Sequence, residues 1–144
     1  MKKFKFTLHS LLEVKLALEK QKKSELAAAQ ARLDAFVRDL ADMEARLEAQ
    51  RAEASSPGGP GIKSLDLAAR DMGFKALFER MDIQREKIQV AEDERQRIRE
   101  LLTETMRERK MLEKLREKQR EQYREELHKE EAKVMDDYMS NQLS

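Results

Sequence analysis

The chain has 144 residues, of which 41% are charged and 5% aromatic, and its 30 basic side chains nearly balance 29 acidic ones. This composition is typical of coiled coils and long helices, and it argues against a wide globular core. The balanced charge gives no overall field to attract nucleic acid or an acidic membrane, and a chain without cysteine forms no disulfide and has no thiolate chemistry.

The first residues are basic and apolar, but they do not continue as a targeting or membrane segment. His9, Glu13 and Lys15 interrupt the apolar run, whereas a secretory signal needs about 7 to 15 uninterrupted apolar residues. No stretch approaches the roughly 18 apolar residues of a membrane span. We therefore expect a soluble cytoplasmic protein with no direct membrane insertion.

A first helix is predicted from about residue 7, with Thr7 as its N-cap, to Ala54. Apolar residues in its second half alternate steps of three and four, as the a and d positions of a coiled coil do. This seam consists of Leu26, Ala29, Leu33, Phe36, Leu40, Met43 and Leu47.

The earlier part of this helix departs from that rhythm. Leu11 and Leu18 are seven residues apart, but Leu18 and Leu26 are eight apart. We therefore expect the seam to slip there and to leave Lys22 or Gln21 facing the partner helix. The other apolar residues in this part either pack on the second helix or form a second face for a partner; they are Phe4, Phe6, Leu8, Leu12, Val14 and Leu16.

A Pro/Gly-rich turn is predicted at 55–61. It holds both prolines and three of the four glycines of the chain. Proline removes a backbone donor, and glycine costs roughly 1 kcal/mol relative to alanine within a helix. A break of this length folds two long helices back on each other as an antiparallel hairpin.

A second helix is predicted from Ser64, its N-cap, to about Met139, with Asp66 favoured by the helix dipole. Its apolar series is Phe78, Met81, Ile88, Ala91, Ile98, Leu102, Thr105, Leu112, Tyr123, Leu127, Val134 and Tyr138. Charged residues fill seam positions between them, and long side chains can extend past a partner helix from such positions. These charged residues are Arg85, Arg95, Arg109 and Glu130.

The two predicted helices differ in length. If Ala54 lies opposite Ser64, Leu8 faces about Lys110, and roughly thirty residues of the second helix have no partner within the chain. The fold class is thus an all-α antiparallel two-helix coiled-coil hairpin, a single domain over 1–144, with an overhanging C-terminal helix. We interpret the overhang as a binding element, with self-association as the alternative. Its apolar residues are Leu115, Tyr123, Leu127, Val134, Met135 and Tyr138.

A second apolar cluster lies near the start of the second helix: Met72, Phe74, Leu77, Phe78 and Met81. A two-stranded coil buries only one stripe. Either the cluster packs around Leu40, Met43 and Leu47, or Phe74, Phe78 and Met81 form a docking face. Gly73 within it permits close approach or a kink.

No catalytic, cofactor or metal motif is recognised. The segment from Gly58 to Ser64 lacks the glycine that a phosphate loop requires immediately before its lysine, because Ile62 intervenes. His9 and His128 are far apart and have no second ligand at metal spacing. The carboxylates lie on exposed helix faces, where general acid or base catalysis has no support. We predict that the protein is not an enzyme.

Four features in this order resemble the FliJ family, the small coiled-coil component of the flagellar type III export apparatus. They are Phe4-Lys5-Phe6-Thr7-Leu8 followed by Leu11-Leu12, the Gly-rich break before an aromatic-containing helix, the run from Glu108 to Leu115, and Glu131 with Met135-Asp136-Asp137. The resemblance covers nearly the whole chain. It implies a hairpin similar to the central stalk of rotary ATPases.

The resemblance also implies partners. These are the hexameric flagellar export ATPase, the export gate membrane protein and export chaperones. The ATPase-facing end corresponds to 2–18 with the helix from about Arg107, and the residues assigned to it are Leu8, Leu11, Leu12, Arg107, Arg109, Lys110, Leu115 and Tyr123. The gate-facing residues are Phe74, Phe78 and Met81, and Gly73 beside them departs from a regular helical patch.

The function that follows is mechanical and allosteric coupling at the cytoplasmic face of the membrane, with hydrolysis belonging to the ATPase. Two alternatives remain open. One is a chaperone or scaffold that binds helical clients without a ring. The other is a structural coiled coil that only dimerises.

Overall fold

The computed structural model describes residues 3–55 and 64–143, and within this part of the chain there are two α-helices and no strand. Helix α1 is His9–Ala54 and helix α2 is Ser64–Leu143. The two helices pack against each other, which confirms the predicted all-α helical hairpin. Of the turn predicted at 55–61, residues 56–61 lie outside what the structure describes, and so do the side chains of Ser64, the predicted N-cap, and of Asp66, which was predicted to be favoured by the helix dipole.

Helix α1 begins slightly later than its predicted cap. The amide of Leu12 donates to the Leu8 carbonyl oxygen at 3.0 Å, and the amide of His9 donates to that of Phe6 at 3.1 Å. Leu8, rather than Thr7, therefore accepts the first helical hydrogen bond. At the other end, both the amide and the hydroxyl of Ser55 donate to the Arg51 carbonyl oxygen, at 3.0 and 2.8 Å. These bonds satisfy a carbonyl that the end of the helix leaves free.

The described chain forms two compact units. Unit 1 contains the described residues of 1–22 and 101–144, and unit 2 contains those of 23–100. Each unit joins a part of α1 to a part of α2, and the paired residues run in opposite directions. That the whole chain is one coiled-coil domain stays a prediction.

Unit 2 has an apolar core. Leu47, Leu77 and Met81 are buried together, and Leu40, Met43 and Phe74 pack against them. All seven predicted seam residues of α1 between Leu26 and Leu47 are buried or half-buried, which confirms that seam. Polar groups pair across it: Gln84 Nε2 donates to the Phe36 carbonyl oxygen at 2.9 Å, and Arg95 Nη1 donates to Gln30 Oε1 at 3.2 Å.

The predicted slip of the α1 seam is wrong. Leu12 is 1% exposed and Leu11 is 43% exposed, so Leu12 is the inward residue. From Leu12 the steps of three and four continue without interruption through polar residues that are buried or half-buried, namely Lys15, Glu19 and Lys22, to Leu26. A pattern of apolar residues alone slips in this part of α1, because charged side chains occupy these seam positions.

Two members of the α2 series also shift by one residue. Leu77 and Gln84 are buried, whereas Phe78 and Arg85, which were predicted at the seam, are exposed. Arg95 and Arg109 are half-buried, as expected at seam positions, and Glu130, Val134 and Tyr138 are exposed. The buried Gln84 was not predicted, because the seam was predicted from the spacing of apolar residues.

The predicted register of the hairpin is also wrong within unit 1. With Leu8 opposite about Lys110, Lys15 would lie opposite about residue 103, but it forms an ion pair with Glu108. The ring of Phe4 lies on that of Tyr123. Packing therefore extends along α2 to the half-buried Leu127, and all described positions from 128 to 143 are exposed. The uncovered segment is about half of the roughly thirty residues predicted.

Candidate partner-binding site

Charged residues form the centre of the packing in unit 1. Arg109 Nε lies 2.5 Å from Glu19 Oε2, and Arg109 Nη1 lies 2.9 Å from Glu113 Oε2. The side chains of Arg109 and Glu19 are only 17% and 8% exposed. Hydrogen bonding to Glu113, and then to Glu19, raises the pKa of Arg109 above its usual value although partial burial opposes this rise. The arginine is therefore charged throughout the physiological pH range.

The residues before α1 form an arm that packs on α2. The ring centroids of Phe4 and Tyr123 are 5.7 Å apart, and the guanidinium carbon of Arg120 lies 5.5 Å from the Phe4 centroid. Phe6 is buried. A groove of about 930 Å³ lies between arm residues 3–5 and the face of α2 from 119 to 130. The aromatic contact and the cation–π contact hold the arm in place.

All eight residues assigned to the ATPase by resemblance lie in unit 1, but in two different environments. Three of them are used inside the unit. Leu12 is buried in the seam, Arg109 forms ion pairs, and Tyr123 contacts the ring of Phe4. The other five are at the surface: Leu8, Leu11, Arg107, Lys110 and Leu115. Only these five present their side chains to a partner in this arrangement.

The three residues assigned to the export gate lie in unit 2, and they also differ in how far their side chains are exposed. Met81 is 2% exposed and belongs to the buried cluster, and Phe74 packs against that cluster. Phe78 is 41% exposed and lines a surface hollow with Arg51 and Asp71. The packing of this region around Leu40, Met43 and Leu47, one of the two predicted alternatives, is therefore observed.

Gly73 does not mark a close approach of another segment. It lies within the continuous helix α2, and a methyl group added at its Cα would meet no atom within 4 Å. The helical surface beside Phe74 is open at this point. No packing contact in unit 2 requires glycine here.

The binding element predicted at the end of α2 has an acidic border that the sequence analysis does not predict. Several apolar side chains there are largely exposed: Val134 68%, Met135 58%, Tyr138 59%, Met139 58% and Leu143 90%. A concave surface joins Glu130 and Glu131 to Val134, Met135 and Tyr138. Counting charges by helical face, rather than along the chain, would have indicated this border.

No group of His, Asp or Glu side chains among the residues that the structure describes could hold a metal ion. Within the same residues, neither helix has a stretch that is apolar enough to span a membrane.

Antiparallel helix packing along a three-four seam, together with exposed charged and apolar side chains, defines the class of protein as a coiled-coil hairpin. The family model described as "Flagellar FliJ protein" matches residues 4–144. The chain belongs to this family, and it is therefore a component of the flagellar protein export apparatus. Comparison with the curated proteins and with the solved structures found no match.

Proposed function

We propose that the protein is the central stalk of the hexameric flagellar export ATPase and couples this enzyme to the export gate. The observation that carries the proposal is the composition of unit 1. It joins the described residues of 1–22 to those of 101–144, so the segments that the family resemblance assigns to the ATPase belong to one packed unit. A partner can bind both segments at once.

The ATPase contact is formed by the five exposed residues, of which Leu8, Leu11 and Leu115 are apolar and Arg107 and Lys110 are basic. The buried pair of Arg109 and Glu19 holds the two helices behind this surface. A two-helix unit inside a sixfold ring contacts the subunits unequally, so it can favour one nucleotide state at one subunit. The ATPase supplies the hydrolysis, and this chain supplies no catalytic group.

The gate contact is assigned to unit 2. Phe78 provides the exposed aromatic side chain, Phe74 lies one turn before it, and Met81 supports the helix from within the core. Binding to a membrane gate places the protein at the cytoplasmic face of the inner membrane. Export chaperones are further partners that the family resemblance suggests.

The stalk role is tested by the rate of ATP hydrolysis of the cognate export ATPase with and without this protein. We expect stimulation. We also expect Arg107→Ala/Lys110→Ala to weaken the apparent affinity of this protein for the ATPase at least about tenfold. A matched control is Arg80→Ala/Arg97→Ala, which removes two exposed arginines from unit 2. The control should stimulate as well as the natural protein does.

Truncation after Arg107 is a harsher test, because it also removes Arg109 and Tyr123, which pack against Glu19 and Phe4. Among the residues that the structure describes, truncation after Leu127 removes only exposed positions. Absence of stimulation, under conditions where the ATPase forms hexamers, would overturn the stalk role.

The second candidate function is a scaffold for helical clients, which the exposed apolar side chains at the end of α2 favour.

A further inference from the structure

The last part of α2 carries a coherent apolar face. Leu127, Val134 and Tyr138 are separated by seven and four residues, so they lie on one side of the helix, and Met135 lies beside them. We refer to these four residues as the C-terminal stripe. Val134, Met135 and Tyr138 are each more than half exposed. No described residue of α1 or the arm covers them.

The C-terminal stripe continues an interface that is already formed. Tyr123 is covered by the ring of Phe4, and Leu127 is half-buried beside the arm. Val134 and Tyr138 follow on the same side of α2 at helical spacing. An apolar face with this spacing presents the knobs and holes that another helix packs against.

The charges beside the C-terminal stripe are mainly acidic. Glu126, Glu130 and Asp137 are spaced four and seven residues apart and therefore follow one border, while Glu131 interrupts the stripe. Glu130 and Glu131 share a concave surface with three residues of the stripe. From 128 to 143 the chain has four acidic residues and two lysines. A complementary surface is apolar with basic edges.

We propose that the C-terminal stripe binds an amphipathic helix of another protein, one whose apolar face is flanked by lysine or arginine. The apolar side chains supply the buried area, and the acidic border selects the basic flank. This binding specifies the partner class of the second candidate function, the scaffold for helical clients, and rests on it. It does not depend on the stalk role, because the stripe is separate from the five exposed residues assigned to the ATPase.

The same charges disfavour a second copy of this chain as the occupant. In an antiparallel pair of stripes, the border of Glu130 and Asp137 on one helix faces the same border on the other, and like charges repel. In a parallel pair it faces the opposite border, which holds His128 and Met139 and whose one arginine, Arg124, lies a turn before Leu127. Neither arrangement pairs the acidic border with a basic one.

The experiment uses the full chain and two synthetic peptides. Both are about 20-residue helices with leucine at three-four spacing, one flanked by lysine and the other by glutamate. The chain has no cysteine, so Ser140→Cys gives one labelling site near the stripe for fluorescence titration. We expect saturable binding of the lysine peptide and at least about tenfold weaker binding of the glutamate peptide.

Two pairs of substitutions locate the binding. Val134→Ser/Tyr138→Ser should weaken binding of the lysine peptide at least about tenfold. Glu130→Gln/Asp137→Asn should weaken it less and reduce its dependence on salt. The matched control, Ile83→Ser/Val90→Ser, removes two apolar side chains that are 54% and 67% exposed elsewhere on α2 and should leave binding unchanged. Circular dichroism checks that each variant keeps its helical content.

Three outcomes would overturn the assignment. The first is equal affinity for the two peptides. The second is an equal loss of binding in the stripe variant and the control variant. The third is a dimer, seen by sedimentation equilibrium, that Val134→Ser/Tyr138→Ser dissociates, because this result would make a second copy the occupant.

Discussion

Arg109 and Glu19 face each other across the seam of unit 1, with the guanidinium Nε 2.5 Å from the carboxylate Oε2. The pair occupies positions that leucine fills in an ordinary coiled coil. Glu113 forms a second ion pair with the same guanidinium at 2.9 Å. The interior of this unit therefore depends on charge pairing as well as on apolar contact.

Removing either side of this pair should destabilise the protein more than removing both. Arg109→Leu removes the guanidinium that pairs with Glu19, and Glu19→Leu leaves the arginine with its Glu113 partner, so each single variant keeps a partly buried charge. We expect both singles to lower the melting temperature and Glu19→Leu/Arg109→Leu to recover most of the loss. A double-mutant cycle in thermal unfolding measures this coupling.

The matched control is the exposed pair of Arg85 and Asp82, whose side chains are 51% and 74% exposed. Substituting either with alanine should change the melting temperature very little. Additive effects of the Glu19 and Arg109 substitutions would contradict a direct interaction between them.

Gln84 should contribute to the stability of unit 2 through one hydrogen bond. It is 5% exposed, and its Nε2 donates to the Phe36 carbonyl oxygen at 2.9 Å. Gln84→Ala should cost about 1 to 2 kcal/mol of unfolding free energy in urea titration, because both the hydrogen bond and packing are lost. Gln84→Leu should be nearly neutral, since it replaces a buried polar group with an apolar one of similar size.

The control for this bond is Gln89→Ala. Gln89 is exposed and donates to Asp93 at 3.1 Å within α2. Its loss should cost less than about 0.5 kcal/mol. An equal cost at positions 84 and 89 would show that the contact with Phe36 adds nothing.

Among the residues assigned to the gate, we expect Met81 to affect mainly the stability of the protein and Phe78 to affect mainly its binding to the gate. Met81→Ala should lower the unfolding free energy by about 2 to 5 kcal/mol, because Met81 is buried with Leu47 and Leu77. Phe78→Ala should cost about 1 kcal/mol or less because its side chain is 41% exposed. Binding to the purified gate domain should nevertheless fall in Phe78→Ala. Unchanged binding in that variant would remove Phe78 from the gate contact.

The Phe4 ring should hold the arm on α2. Phe4→Leu keeps an apolar side chain but loses the contacts with Tyr123 and Arg120, which together are worth about 1 kcal/mol. The His9 amide, bonded to the Phe6 carbonyl oxygen, should then exchange hydrogen roughly fivefold faster. Tyr138→Leu, a change in the exposed segment of α2, serves as the control and should leave this exchange rate unaltered.

Much of the secondary structure, and the family, could be predicted from the amino-acid sequence alone. The three-four rhythm from Leu26 to Leu47 indicated the buried face of α1, because a helix with that spacing has one apolar side. High charge and few aromatic residues indicated long helices rather than a globular core. The order of short segments along the chain resembled the FliJ family, to which the chain belongs.

The sequence could not decide between neighbouring residues that differ by one helical position. Leu12 rather than Leu11, and Leu77 rather than Phe78, turned out to face inward. Adjacent residues are only about 100° apart around a helix, so either can border a seam. The choice depends on which side chain fits the partner helix, and that is a property of packing.

What the sequence by itself determined is the periodic apolar face of each helix, because helical spacing is a local property of the chain. What only the tertiary structure decided is where charge enters the interior and which residues meet. Lys15 pairs with Glu108, and Glu19 pairs with Arg109, across the two helices. A charged residue is stable at a seam position when an opposite charge lies across from it. That partner is about 90 residues away along the chain, beyond the reach of any local pattern.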